Sequence, residues 1–395
     1  SPVYGGGALE AYSYATYGSG WLPDEDGHEP AHTWWGGVIP NSYLRSLWNE
    51  SFAEWSEGLF RREVAFGNRD ERRLAFVTDA QPSPAYAAAP LAESGAAIGP
   101  VASALGYGKG AKVLQILELE LGTDLMIETC RDWIRTHPVG ENADWEDYEK
   151  AVSRVAKQPM TWFFDQWVRR PGWLDFSMEG VSWSGGKVVA NPLFKGQPYR
   201  FTCEVMLQDS DGKRSFQRVV VEPGKQVSIP ASRRPALVSF DPWRRLLRRY
   251  EKDETPVQLG ELLGDMRRYT DSAAASWLPG VATEKPLSSL PSDLNNVFIV
   301  GSPERVKAMA PLCRKAGFTV KGDKLTYAGT TIDLNQGCAL AVVDLGGGKR
   351  CAIGLGKTLL EPKLGRARTV VTDPYGRFLR GKTEPKTTGF LSFRL

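Results

Sequence analysis

One short stretch of the chain, HEPAHTWWGGVIPNSYLRSLWNE from His28 to Glu50, holds residue types spaced for hydrolytic chemistry. His28, Glu29 and His32 form an H-E-x-x-H. A helix turning every 3.6 residues sets positions i and i+4 on one face, so both imidazoles can reach one zinc ion. Glu50 lies eighteen positions beyond His32, in an apolar, aromatic segment (Leu47, Trp48, Phe52, Ala53, Trp55) that predicts a second helix packed on the first. Two His and one Glu leave a fourth tetrahedral position open for water, which marks a catalytic zinc site and not a structural one. Glu29, one residue round the helix from His28, then points at that water as general base. The competing reading is a pair of helical histidines hydrogen-bonded elsewhere. With only three histidines in the chain, two of them four apart beside a Glu favour the metal.

Several elements must position these residues. Pro30 is tolerated only in the first turn of a helix, so that helix begins close to Gly27 as N-cap, with Asp24, Glu25 and Asp26 as a solvated acidic loop outside it. After Glu50, the spacing of Phe52, Trp55, Leu59 and Phe60 continues the second helix. Residues 79–100, rich in Ala, Pro, Gly and Ser, predict a loop lining the cleft. Leu105-Gly-Tyr-Gly-Lys-Gly-Ala111 then leads into the helical KVLQILELELG. Residues 122–172 read as further helices, one opened by the capping residues Asn142-Ala-Asp-Trp-Glu-Asp147, with the aromatics of Thr161–Trp167 as core. His137 is a helix C-terminal residue before Pro138, with no catalytic role.

From Trp173 the pattern changes to short strands such as FTCEVMLQ, FQRVVVE and QVSIP. Residues 251–290 read as a helix and a Pro/Ser linker, and 291–395 as a separate α/β unit with strands NVFIVG, FTVKG, KLTYAG, CALAVVDL and CAIGLG. Its Ser302-Pro turn is a plain βα connection. With 395 residues, 42% of them hydrophobic, there is apolar material for two or three domains. A net charge of +3 gives no global reason for nucleic-acid or membrane-surface binding. The basic cluster Arg244, Arg245, Arg248 and Arg249 reads as a solvated strand end. Five scattered cysteines, odd in number and without C-x-x-C spacing, give no metal, redox or disulfide framework. No run of about 18 apolar residues predicts a transmembrane helix. The sequence starts at Ser-Pro, without Met or signal peptide, so the true N-terminus is expected elsewhere.

These motifs resemble the zinc aminopeptidases of the aminopeptidase N type, with H-E-x-x-H-x-W-F-G-N and L-W-L-N-E-G-F-A. Here they stand as His28-Glu-Pro-Ala-His32-Thr-Trp-Trp-Gly-Gly37 and Leu47-Trp-Asn-Glu-Ser-Phe-Ala53. Positions 33 to 49 are one residue fewer than the family usually has, a deletion for the connecting loop to absorb. The family binds the substrate's free amino group through the Glu of a G-A-M-E-N segment. Gly7-Ala-Leu-Glu-Ala11 looks like a degraded copy, which implies Glu10 as amine anchor with Gly7 and Ala8 beside the substrate. A carboxylate suits an α-ammonium because a charge-assisted bond is about twice as strong as a neutral one. The family's Y-x-K-G-A tyrosine donates to the oxyanion, which implies that role for Tyr107. Val238-Ser-Phe-Asp-Pro242 matches the V-x-L-D-P that ends a small β-sandwich.

The resemblance implies an α+β multidomain chain. Residues 1–172 would be a thermolysin-like, mostly helical zinc peptidase domain, 173–250 a β-sandwich, 251–290 a helix and linker, and 291–395 a C-terminal α/β domain. It implies one Zn2+ per chain, peptide substrates, no nucleic-acid partner, and either a missing N-terminal domain or a separate N-terminal chain. An exported location fits the family's habits. Two other classes share these motifs: a zinc endopeptidase or glycyl-aminopeptidase-like enzyme, and a catalytically silent scaffold of the same fold.

Overall fold

Trp48, Phe52 and Trp55 recur along one side of a helix, and in the computed structural model that side is buried. The residues described are 8–11, 14–17, 27–60, 82–97, 99–250, 266–270, 285–286, 290–301, 309–327, 329–346, 349–356, 369–372, 378–382 and 391–395. They divide between two units, 1–255 with 385–395, and 256–384.

In the first unit a hairpin, β1 (Ala8–Glu10) with β2 (Ala15–Tyr17), precedes the short helix α1 (His28–Ala31) and the long helix α2 (Trp48–Phe60). Phe52 of α2 meets Trp133, Trp145 and Tyr148 at ring-centroid distances of 5.3, 5.8 and 4.7 Å. These rings come from the helices Thr123–Thr136 and Trp145–Ala156. Aromatic pairs of this kind contribute about 0.5–1.5 kcal/mol each beyond their buried area, so they fix where α2 sits. Trp35 joins the same cluster at 4.8 Å from Phe52, which ties the chain after α1 to α2. The expected caps are present. Gly27 is the N-cap of α1, and Asp144 forms a capping box with Asp147.

The stretch expected as a plain loop over 79–100 contains two 3-10 helices, Pro84–Ala87 and Leu91–Ala96. Ser83 caps the first by accepting from Ala85 N at 3.2 Å, and Leu91 is fully buried, so the segment is wall as well as connection.

Two antiparallel sheets complete this unit. One holds Phe176–Ser184, Lys187–Phe194 and Val227–Pro230; the other, in order, Ser392–Arg394, Leu237–Phe240, Phe201–Gln208 and Arg214–Val221. Val188 and Ile229 of the first share a core with Phe201, Val205 and Val238 of the second. The last strand corrects the expected boundary of a C-terminal domain at 291–395. Ser392–Arg394 closes the open edge of Leu237–Phe240, with Leu391 buried and the Ser239 and Ser392 hydroxyls 2.8 Å apart.

The arginine cluster is also corrected. Asp241, in a left-handed conformation at φ 50°, accepts from the Arg245 amide and from Arg248 Nε at 2.8 Å, and both Arg244 and Arg248 are buried. A carboxylate at the centre of the turn draws in cations that the sequence alone presents as solvated.

The second unit has a seven-stranded mixed sheet. Arg267–Thr270, Val297–Val300 and Lys349–Gly356 are parallel neighbours, and Cys338–Gly346, Thr369–Thr372 and Phe378–Lys382 continue it antiparallel. The helix Met309–Lys315 and a three-stranded sheet accompany it. The sheet begins upstream of residue 291, in the region expected as helix and linker; the Ser302-Pro turn and the rest of that linker lie outside the described residues. All five cysteines are buried, and none forms a disulfide. The chain is thus α+β, and among the described residues no helix is long and apolar enough to cross a membrane.

Candidate active site

Pro30 fixes where helix α1 begins, and the chain reverses sharply after Ala31, so the helix is only four residues long. The reversal needs glycine: at Gly37 a Cβ would lie 2.4 Å from the Thr33 carbonyl oxygen. That single turn still carries His28, Glu29 and, as its C-cap, His32.

Three donor atoms converge where α1 meets α2. His28 Nε2 lies 3.2 Å from Glu50 Oε2, His32 Nε2 lies 3.3 Å from the same oxygen, and the two nitrogens are 3.2 Å apart. A tetrahedral zinc with bonds of about 2.0–2.1 Å sets its ligand atoms about 3.3 Å apart. The triangle formed by His28, His32 and Glu50 has the edge lengths of one face of such a tetrahedron, so these residues fit that metal.

Each ligand is held from behind. His32 Nδ1 lies 2.9 Å from the Trp35 carbonyl, so this nitrogen is the donor and Nε2 keeps its lone pair for the metal. His28 Nδ1 faces Glu54 Oε1 at 3.3 Å, and Asn49 Nδ2 donates to Glu50 Oε1 at 3.1 Å. Without metal the three donors share protons. Burial works against the charged form of His28, but the bonds to Glu50 and Glu54 lift its pKa to about 10. Burial likewise opposes ionisation of Glu50, and the two imidazoles overcome it, holding that carboxyl down at about 2.

Glu29, Glu10 and His32 each offer an atom within 4.8 Å of the others, so two carboxylates flank the metal ligands on the side of β1. Tyr107 approaches from the opposite element, its ring parallel to that of His28 with centroids 5.8 Å apart. Burial pushes its hydroxyl pKa up, and the charge of Glu50 and a hydrogen bond to it add to this, so the phenol stays a donor.

Tyr107 sits in a π-helical turn, Ala104–Lys109, which leads into the helix Gly110–Leu121. This turn lies against α2: Ser51 Oγ donates to the Gly106 carbonyl at 2.7 Å, and a Cβ at Gly110 would fall 1.8 Å from Ser51 Oγ. Lys109 is buried, its ammonium donating to the Arg170 carbonyl at 3.1 Å, which pins the turn from the far side.

Thus His28, Glu29, His32, Glu50, Tyr107 and Glu10 come together in the structure. Ala8 lies half-buried at the start of β1, and Gly7 is outside the described residues. His137 is away from the cluster, its Nε2 hydrogen-bonded to the Glu141 carbonyl at 2.8 Å. The sequence reading missed Glu54, Asn49 and Tyr43. Glu54 was findable, since it is four residues after Glu50 on the same helix face. Tyr43, in an irregular loop, carries no periodic signal.

The Peptidase family M1 domain profile matches residues 27–167. Glutamyl aminopeptidase of Bos taurus is 27% identical over 194 residues, 44% of this chain and 20% of that protein. Aminopeptidase M1 of Arabidopsis thaliana is 25% identical over 198 residues, 44% of this chain and 22% of that protein. The chain spans about a fifth of the length of these curated relatives. They lend no support to the separate N-terminal chain expected from the sequence. The solved structure of Legionella pneumophila aminopeptidase A in complex with aspartic acid is 16% identical. It covers 66% of this chain and 32% of that one with a TM-score of 0.51, a likeness of fold. The segment that holds His28, Glu29, His32 and Glu50 thus matches the peptidase family M1 domain.

Proposed function

We propose that the chain is a zinc-dependent aminopeptidase that removes N-terminal residues from peptides, with one zinc held by His28, His32 and Glu50 in a thermolysin-like helical domain. The observation that carries this reading is the triangle of donor atoms with 3.2–3.3 Å edges, flanked within a few ångströms by the carboxylates of Glu10 and Glu29. Zinc, when bound, supplies a Lewis acid for the scissile carbonyl and lowers the pKa of an attacking water to about 7.

The chain's own residues do the rest. Glu29 takes the proton of the attacking water and later delivers it to the leaving amine, a role worth about 10²–10⁴ in rate. Tyr107, kept protonated by burial, donates to the carbonyl oxygen as negative charge develops there. Losing one such donor typically costs about 2.7–4 kcal/mol of transition-state stabilisation. Glu10, close to Glu29 and His32, accepts from the substrate's α-ammonium and so counts one residue from the peptide's free end.

A fluorogenic peptide panel with free and acetylated N-termini tests this, with Glu29→Gln as the blank. Cleavage confined to free amines and lost in the blank supports the aminopeptidase. Equal cleavage of blocked peptides means an endopeptidase, and a wild type that takes up no zinc means a silent scaffold.

A further inference from the structure

Glu10 sits on a three-residue strand of a two-stranded hairpin, and such a hairpin is only marginally stable by itself. A carboxylate that must meet an ammonium at a fixed point needs a holder from elsewhere. Tyr43, thirty-three residues further on, lies within reach: its hydroxyl is 3.2 Å from Glu10 Oε1.

The direction of that bond follows from the groups behind it. Asn49 is fully buried, and each of its polar atoms is used. Its Oδ1 accepts from Asn41 Nδ2 at 2.5 Å; its Nδ2 donates to Glu50 Oε1 and to the Tyr43 hydroxyl oxygen, both at 3.1 Å. The Tyr43 oxygen therefore accepts from Asn49, and its own hydrogen is left for Glu10. An unbroken chain of hydrogen bonds runs from the metal ligand Glu50 through Asn49 and Tyr43 to Glu10.

The loop is built to hold this. Tyr43 adopts φ 58°, a left-handed conformation that is uncommon outside glycine and costs free energy. An Asx turn keeps it there, with the Tyr43 amide donating to Asn41 Oδ1 at 3.0 Å. Asn41 also donates to the Ser46 carbonyl at 3.1 Å, closing the loop just before α2. Local strain maintained by a network anchored on the buried Asn49 points to a task for the strained side chain, and this one aims its hydroxyl at Glu10.

We propose that Tyr43 is the positioning residue for amine recognition: its hydroxyl holds the Glu10 carboxylate beside the metal ligands and so sets selectivity for a free N-terminus. This rests on the reading of Glu10 as the amine anchor. Tyr43 acts through Glu10, so its loss lowers selectivity without removing the metal or the general base.

Calorimetric titration of the zinc-loaded protein with leucinamide, argininamide and their N-acetyl forms tests the proposal without relying on turnover. Wild type is expected to prefer the free amines and Glu10→Gln to lose that preference. Tyr43→Phe, which keeps the ring, is expected to weaken free-amine binding about tenfold and leave the acetylated forms unchanged. In the Glu10→Gln background it adds nothing, since its only route is through that carboxylate. Zinc content, measured alongside, is expected to stay at the wild-type level, and the melting temperature of Tyr43→Phe to fall only by the loss of one hydrogen bond to the buried Asn49. If wild type and Glu10→Gln behave as stated but Tyr43→Phe keeps full selectivity, or weakens both classes of probe equally, the proposal is overturned and the amine-anchor reading stands. A wild type that binds free and acetylated amides alike overturns both.

Discussion

His28 Nδ1 stands 3.3 Å from Glu54 Oε1, one helical turn beyond Glu50 on α2. The same helix therefore supplies a metal ligand and the carboxylate that fixes the orientation of another ligand. Partners of this kind set the tautomer and raise the basicity of an imidazole, and their loss typically costs about 10–100-fold in metal affinity. The Glu54 side chain is 38% exposed, which puts the expectation at the low end. Glu54→Ala should weaken zinc binding about tenfold and Glu54→Gln less, because the amide oxygen can still accept. Competition against a chromophoric chelator measures this, and unchanged affinity in Glu54→Ala would remove the orienting role.

Stripping the metal should leave a pH-sensitive protein. His28 has a folded pKa of about 10 against an ordinary 6.5, so its stabilising contribution is full below about 6.5 and is lost as pH rises towards 10. Glu50 has the opposite sign: at about 2 against an ordinary 4.5, its contribution is present above 4.5 and lost as pH falls towards 2. The two limbs belong to one shared interaction, so they are not additive. Metal-free protein is therefore expected to melt highest between these windows. Zinc should abolish the alkaline decline, because it replaces the shared protons and binds only the folded state. Melting curves across pH with chelator or with added zinc would reveal an alkaline limb in the first series alone; its presence in both would sink this account.

The closest approach between α2 and the Tyr107 turn gives a packing prediction. A Cβ at Gly110 would lie 1.8 Å from Ser51 Oγ and 2.4 Å from Ser51 Cβ. Gly110→Ala must push the two helices apart, an overpacking cost of about 1–3 kcal/mol or more, and shift Tyr107 with them. Ser51→Gly made together with Gly110→Ala should relieve the clash, leaving the loss of the Ser51 bonds to the Gly106 and Leu47 carbonyls and the cost of about 0.5–1 kcal/mol of a glycine inside α2. Denaturant melts of the two single variants and the double variant would show this as strong non-additivity. Simple addition of the two costs would mean that the steric contact is not the cause.

The site was legible where its chemistry depends on local spacing. His28 and His32 are one helical turn apart, Glu50 opens an aromatic-faced helix, and the glycines around Tyr107 mark a close approach, all features that a linear sequence carries. What stayed hidden depends on distant partners. Tyr43 matters because Glu10 and Asn49 reach it, from 33 positions before and 6 after in the chain. Arg248 is buried because Asp241 takes up a left-handed turn beneath it. Ser392–Arg394 belongs to the first unit because Leu237–Phe240 has an open edge, and no periodicity in either strand reports that pairing.

Lys112 shows how such a distant arrangement can be read out in solution. Its ammonium is buried, donating to the Arg244 carbonyl at 2.9 Å and to Gln115 Oε1 at 3.2 Å. Burial lowers its pKa to about 7; Asp241 works in the opposite direction, and Arg245, Arg244 and Arg248 add to the lowering. A lysine whose folded pKa lies below the ordinary 10.5 binds more protons unfolded than folded between those values. Its destabilising effect is therefore complete below about pH 7 and fades as pH rises from there towards 10.5. Lys112→Met takes away that dependence and leaves the Arg244 carbonyl still bonded to the Tyr250 hydroxyl at 3.0 Å. In zinc-loaded protein, where the His28 limb is suppressed, wild type should gain stability relative to Lys112→Met as pH increases from 7 to 10. A stability difference between the two that stays constant over that range would mean that Lys112 keeps its ordinary charge in the folded protein.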